Sequence, residues 1–226
     1  MNTSSIKIVG ILLLFLVLVN CSSSMSPGGN ATEVSFSTPD GIVLAGNVFG
    51  SGDTTVVLSH SQAVDQTSWW PFARILRDKG YKVLTYDFRG YRDSTGDMEL
   101  GRTDIDLDSA VDFILSDGAS KVFLIGSGIG GTASLRVGVR EEISGVITLS
   151  TSPISNNLNV IENIPNISSP KLFLASEQDL FNARSLDLLE QISVAPKERH
   201  RIEGQSQGTN MLLGNNGPLV KGLIVD

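Results

Sequence analysis

From residue 31 onward, short β-branched or apolar runs alternate with longer segments of helical period, and this alternation narrows the fold more than any other feature. Continuous Val, Ile and Leu runs read as strands buried on both faces, which a sheet acquires only when helices cover both of its sides. Such strands fall at 55–59, 82–87, 121–126, 145–150 and 171–175, and 199–203 follows as the last of the series. Helical segments at 69–79, 104–116, 130–139 and 183–192 lie between them, with a final one at 217–225. Ahead of the series, 34–37 and 43–49 flank Pro39-Asp40-Gly41, a turn signal that makes them an opening hairpin. The pattern predicts one α/β domain with a mostly parallel eight-stranded sheet flanked by helices, without internal repeats or a second domain.

The residues before that domain have a different character. Residues 8–19 are an apolar run broken only by Gly10, with Lys7 before it, Asn20-Cys21 closing it and a Ser/Gly/Pro stretch at 22–30 after it. The run is shorter than the ~20 apolar residues that span a bilayer. Its layout is that of a secretory signal peptide followed by a flexible spacer. Leu18-Val19-Asn20-Cys21 resembles the lipobox of bacterial lipoproteins, with Asn20 where Gly, Ala or Ser is usual. That resemblance implies acylation of Cys21 as the first mature residue. Residues 1–20 are therefore read as a signal peptide, 21–32 as the lipidated cysteine and its spacer, and 33–226 as the folded domain. The expected location is extracytoplasmic, on the cell membrane through the lipid; a secreted chain or an uncleaved N-terminal membrane anchor are the alternatives.

Composition excludes several functions. Cys21 is the single cysteine, so there is neither an internal disulfide nor a thiolate-rich metal site. Lys plus Arg number 17 against 24 Asp plus Glu, a net charge of −7, and removal of residues 1–20, which hold Lys7 and no acid, leaves 16 − 24 = −8. With no basic cluster, nucleic acid is not an expected partner. The glycines at 126–131 read G-x-G-x-G-G, which is not the dinucleotide spacing, and no cofactor or metal is expected. The expected partners are the membrane, through the anchor, and a small molecule in a residual pocket. Oligomeric state is not readable.

Three strand ends carry a more specific signal. Strand 56–59 runs into His60-Ser61-Gln62 and Asp65-Gln66-Thr67-Ser68-Trp69; later come Tyr86-Asp87-Phe88-Arg89-Gly90-Tyr91 and Ser94. Strand 122–125 runs into Gly126-Ser127-Gly128-Ile129-Gly130-Gly131 and a helix. Together these resemble the α/β-hydrolase fold, in its small esterase and dienelactone-hydrolase-like branch with little or no lid. The resemblance covers 33–225 and is most specific over 56–94. It implies a G-x-S-x-G elbow, an acid after the penultimate strand, a histidine after the last, and an oxyanion hole of backbone N–H groups.

Placed on this sequence, the elbow puts Gly128 at the nucleophile position, and glycine has no hydroxyl to attack a carbonyl. Ser127, one residue earlier, is the alternative nucleophile; its bland reading is a packed or capping serine at the helix start. The acid position is Asp179, which could equally cap the following helix. The histidine position, within Gly204-Gln205-Ser206-Gln207-Gly208-Thr209, is Gln207, whose amide cannot act as a base near neutral pH. Oxyanion-hole positions are Ile129 and Ser61-Gln62, with Ser61 where the family usually has glycine. Of the two histidines, His60 reads as a loop anchor and His200 as a surface or sheet-edge residue at the start of the last strand. Arg89 reads as a tie for its loop, with Asp87 pairing either with it or with backbone amides, and Trp69 and Trp70 as one core and one surface residue. The expected function is a catalytically degenerate, membrane-anchored binding or interaction module. The alternative is a weak carboxylesterase or acyl hydrolase of small esters, using Ser127 or a water held by Gln207 and Asp179.

Overall fold

A computed structural model describes Gly28 and residues 31–225; the apolar run 8–19 and Cys21 lie outside the described residues. Eight strands form one sheet in the order β1-β2-β4-β3-β5-β6-β9-β10. Its strands are β1 (Ala31–Ser37), β2 (Val43–Phe49), β3 (Thr54–Ser59), β4 (Lys82–Tyr86), β5 (Lys121–Ser127), β6 (Ile143–Leu149), β9 (Lys171–Ser176) and β10 (Lys197–Ile202). β1, β2 and β4 pair antiparallel, and every other neighbouring pair is parallel. The helices are α1 (Trp70–Asp78), α2 (Thr103–Ser116), α3 (Ile129–Val137), α4 (Leu180–Ile192) and α5 (Gly217–Val225).

Period-two alternation sends successive strand side chains to opposite faces. Val57 and Leu124 join the core under α2, α3 and α4, while Val56, Leu58 and Ile125 join the one under α1 and α5. Each fully buried side chain of this kind is worth ~1.5–3 kcal/mol, so uninterrupted apolar runs hold both helical layers on. Between β6 and β9 the described chain makes only the hairpin β7 (Ile154–Ser155) and β8 (Leu158–Asn159) and a short 3-10 turn, Ile164–Asn166. Leu158, Val160, Ile164 and Ile167 of this segment are buried in the α3-side core, so it lies against the domain and forms no helical lid.

Two sequence expectations need correcting, and a third, which left two partners open, is resolved. Trp69 and Trp70 are both buried, at 0% and 4% exposure. Trp69 ends the 3-10 turn Gln66–Trp69 and Trp70 opens α1; the pitch changes between them, and Trp70 points beside the hairpin residues Ala45 and Asn47. Of the two partners open to Asp87 the backbone amide holds: Asp87 accepts from the backbone N–H and the Nε2 of Gln66, at 2.9 and 2.7 Å, while the Arg89 guanidinium meets Asp106 on α2. His200 lies inside β10, which begins at Lys197, on an edge of the sheet.

Candidate functional site

β5 delivers the chain into a sharp turn whose apex is Gly128, with φ 55° and ψ −121°, and α3 starts at the next residue. Only glycine enters this region without strain; another residue there costs ~1–3 kcal/mol. Gly130 lets the start of α3 lie against the end of β3, where a Cβ would collide with the Ser59 and His60 carbonyls. The backbone makes a sharp strand-to-helix turn whose apex residue carries no side chain.

What stands beside the apex is Ser61. A Cβ built on Gly128 would sit 3.0 Å from the Ser61 Cβ, so a side chain at 128 fits only if one of the two gives by a few tenths of an ångström. Gly128, Ser61 and Gln207 line one cleft of about 150 Å³, together with Val64, Ser150 and Asn210. None of its lining residues carries an ionisable side chain, so the cleft contains no general acid or base of its own. Ser150 escaped the sequence reading beyond its place at a strand end. It has φ 50°, and its Oγ accepts from the Gly208 N–H at 3.1 Å, tying the end of β6 to the Gln207 loop.

Ser127, Asp179, Ile129 and Gln62 do not line this cleft. Ser127 is the last residue of β5, fully buried, with no hydrogen-bond partner for its Oγ among the described residues; its Cβ packs at 3.3 Å from where a Cβ on Gly208 would lie. It caps nothing. Asp179 is 8% exposed and caps α4, accepting from the Asn182 N–H at 3.3 Å and from its Nδ2 at 2.6 Å. Its loop is sewn to the loop that carries Gln207: Gln178 N–H donates to the Gly204 carbonyl at 2.9 Å, and Ser176 Oγ to that of Ser206 at 2.5 Å. Ile129 opens α3, so its N–H is one of the helix-start donors without an intrahelical acceptor. Gln62 turns outward: its Oε1 accepts from Asn156 Nδ2 at 2.8 Å and its carbonyl from the Tyr91 hydroxyl at 2.9 Å.

His60 is wholly buried between Phe88 and Tyr91. Its Nδ1 donates to the Ser61 carbonyl at 2.8 Å, and its Nε2 accepts the Phe88 N–H at 3.1 Å. Both nitrogens are used in the neutral tautomer, and burial pushes its pKa down to about 4. It anchors the loops after β3 and β4. Asp87, close by, is pushed up to about 6 by burial. The two pull stability in opposite directions. Asp87 contributes stability that is complete below its unfolded pKa near 3.8 and is lost as pH rises through about 6. His60 contributes stability that is complete above its unfolded pKa near 6.5 and is lost as pH falls through about 4. His60→Gln, which keeps an acceptor for the Phe88 N–H, isolates the second effect. The gap in unfolding free energy between wild type and variant should widen by about 3 kcal/mol from pH 4 to 6.5, read by urea denaturation; a constant gap would show that His60 is not held neutral.

Among the described residues there is no cluster of His, Cys, Asp or Glu that could hold a metal ion, and no helix long and apolar enough to cross a membrane.

A doubly covered, mostly parallel sheet with an elbow between its fifth strand and the next helix defines an α/β protein of hydrolase architecture. The profile described as "Alpha/beta hydrolase family" matches residues 56–208, and the chain belongs to that family. It is 30% identical over 135 residues to the protein named "Uncharacterized protein YfhR" of Escherichia coli, in both strain K12 and O157:H7. That match takes in 54% of this chain and 48% of the relative, so the chain spans about half the length of the curated relatives it matches. Among solved structures it resembles the alpha/beta hydrolase GrgF from Penicillium sp. sh18, with TM-score 0.74, 16% identity and coverage of 86% of this chain and 96% of that one. The esterase Pf2001 of Pyrococcus furiosus gives TM-score 0.73 at 16% identity, covering 86% and 88%. At these identities the likeness is one of fold.

Proposed function

We propose that this chain is a catalytically degenerate α/β hydrolase, anchored to the membrane through Cys21, that uses its residual cleft to bind and not to hydrolyse. The observation that carries this reading is the elbow apex itself: Gly128 holds the strained conformation of a nucleophile, yet it has no side chain, and a Cβ there would crowd Ser61 at 3.0 Å. Gln207 shares the cleft and can position a ligand by hydrogen bonding, but it takes up no proton near neutral pH. Without nucleophile and base, at most the ~10³–10⁴-fold contribution of binding and oxyanion contacts survives. The anchor rests on the apolar run 8–19 that ends at Cys21 and on the polar spacer behind it.

The esterase reading is supported by the names of structural neighbours such as Pf2001, and one experiment separates the two. The chain is purified from cell membranes, exposed to a fluorophosphonate and weighed intact. The expected mass is that of a chain beginning at a lipid-modified Cys21 and carrying no phosphonyl group, with turnover of short nitrophenyl esters no faster than in a heat-denatured control. A phosphonyl adduct on any serine, Ser61 and Ser150 in the cleft included, overturns the degenerate reading; an unmodified Cys21 overturns the anchor.

A further inference from the structure

Beside the cleft, a second hollow of about 180 Å³ opens between α1, the turn after β10 and α5. Val64, Phe72, Ile75, Leu212 and Leu213 give it apolar walls. Phe72 and Leu212 are packed in the core, whereas Val64 and Leu213 are 38% and 56% exposed, so the inner wall is rigid and the outer lip open. Val64, Thr209 and Asn210 line both hollow and cleft, which makes them adjoining compartments of one depression.

The charge pattern indicates what fits there. Lys221 is the one charged residue in the lining. Lys221 has no carboxylate partner among the described residues, as Lys79, Lys121 and Lys171 have none, whereas Lys82 and Lys197 pair with Asp117 and Glu190. In a chain of net charge −7, an unpaired ammonium against an apolar wall favours an anion supplied from outside. A cation in that wall also disfavours a neutral or cationic occupant.

We infer that this hollow binds an amphiphile with one carboxylate and a short unbranched alkyl chain, its tail along Phe72, Ile75, Leu212 and Leu213 and its carboxylate on Lys221. The volume equals about six waters at ~30 Å³ each, which suits a short chain and not a diacyl lipid. The inference rests on the reading of this chain as a binding protein and names the chemical class of its ligand. Because the polar end of the depression lies at Thr209 and Asn210, a longer ligand would enter the Gly128 cleft only after filling the apolar compartment.

The test is an NMR titration of the full chain with butyrate, hexanoate, octanoate, octanol and octylammonium. Each added methylene should tighten binding ~4-fold until the hollow is full. Octanoate should bind about tenfold or more tightly than octylammonium. Leu213→Asp and Lys221→Glu, both at accessible positions, should each weaken octanoate about tenfold with unchanged circular dichroism, and Lys221→Glu also subtracts any uptake elsewhere on the chain. Absence of saturable octanoate binding overturns the inference, as does equal affinity for octylammonium or undiminished affinity in either variant. Fluorophosphonate labelling tests the cleft separately. A chain that labels and still binds octanoate retains the hollow and loses catalytic degeneracy, whereas one that does neither retains degeneracy and loses the hollow.

Discussion

Gly128→Ser combined with Gln207→His should remain nearly inert towards short nitrophenyl esters, and adding Ser61→Gly should raise kcat/KM by ~10²-fold or more. The first pair restores a nucleophile and a base on paper. In space, the new Cβ at 128 would lie 3.0 Å from the Ser61 Cβ, so one of the two must give by a few tenths of an ångström and the apex side chain is crowded from the start. Ser61 is also an oxyanion-hole position, and its side chain narrows the place where the oxyanion would develop. Glycine at 61 relieves both. Gain should be partial, because Asp179 accepts from the Asn182 N–H and Nδ2 and is not free to orient a histidine at 207; an unoriented histidine costs ~10⁴ in kcat where it has been measured. Adding Asn182→Ala should therefore raise the rate further. Serine at the apex also brings ~1–3 kcal/mol of backbone strain, so stability of each variant is measured beside its rate. If the triple variant folds and neither turns over ester nor labels with a fluorophosphonate, the assignment of Gly128 and Gln207 to the two lost positions fails.

This coupling shows where a sequence reading stops. Strand Val43–Phe49 and helix Gly217–Val225 lie within the bounds their patterns predict, because turn residues or loops delimit them and the apolar period is clean. Gly128, Ser61 and Gln207 could be placed from motif spacing alone, and they do share one cleft. The steric crowding between Ser61 and residue 128 could not, since it depends on how closely the loop after β3 approaches an elbow that is distant in the chain. The cap that Asp179 makes is hidden from spacing for a related reason: it runs through the Asn182 side-chain amide, which points back at it. The hairpin of β7 and β8 went unseen because two-residue strands carry no period. Arg89 is a third case, since the carboxylate that it meets, Asp106, is brought to it from α2 by the fold.

That carboxylate supports the largest expected effect on stability. Arg89 is 1% exposed, in the loop after β4, and Asp106 on α2 is 0% exposed. Arg89 Nε and Nη2 donate to Asp106 Oδ1 at 2.9 and 2.7 Å, its backbone N–H donates to Asp106 Oδ2 at 2.9 Å, and Nη1 reaches Asp40 in the β1–β2 turn at 2.8 Å. One guanidinium thus ties the opening hairpin, the loop after β4 and α2. Arg89→Met keeps most of the volume but leaves Asp106 buried without its cation, and loss of one partner of a buried pair costs ~3–5 kcal/mol. Burial pushes the Asp106 carboxyl up and Arg89 opposes this, so in the variant Asp106 should hold its proton to higher pH and the deficit should shrink on acidification from pH 7 to 5. Arg89→Met with Asp106→Leu should recover only part of the loss, because two apolar groups replace a pair whose desolvation was itself costly, but the Arg89 backbone N–H loses its acceptor at ~1–3 kcal/mol. Arg89→Lys should fall between, retaining charge without the fork that spans Asp106 and Asp40. Urea denaturation of the four proteins at both pH values decides the matter: an Arg89→Met deficit below ~1 kcal/mol at pH 7, the level of a surface pair, would mean that the three elements are held by packing and not through this guanidinium.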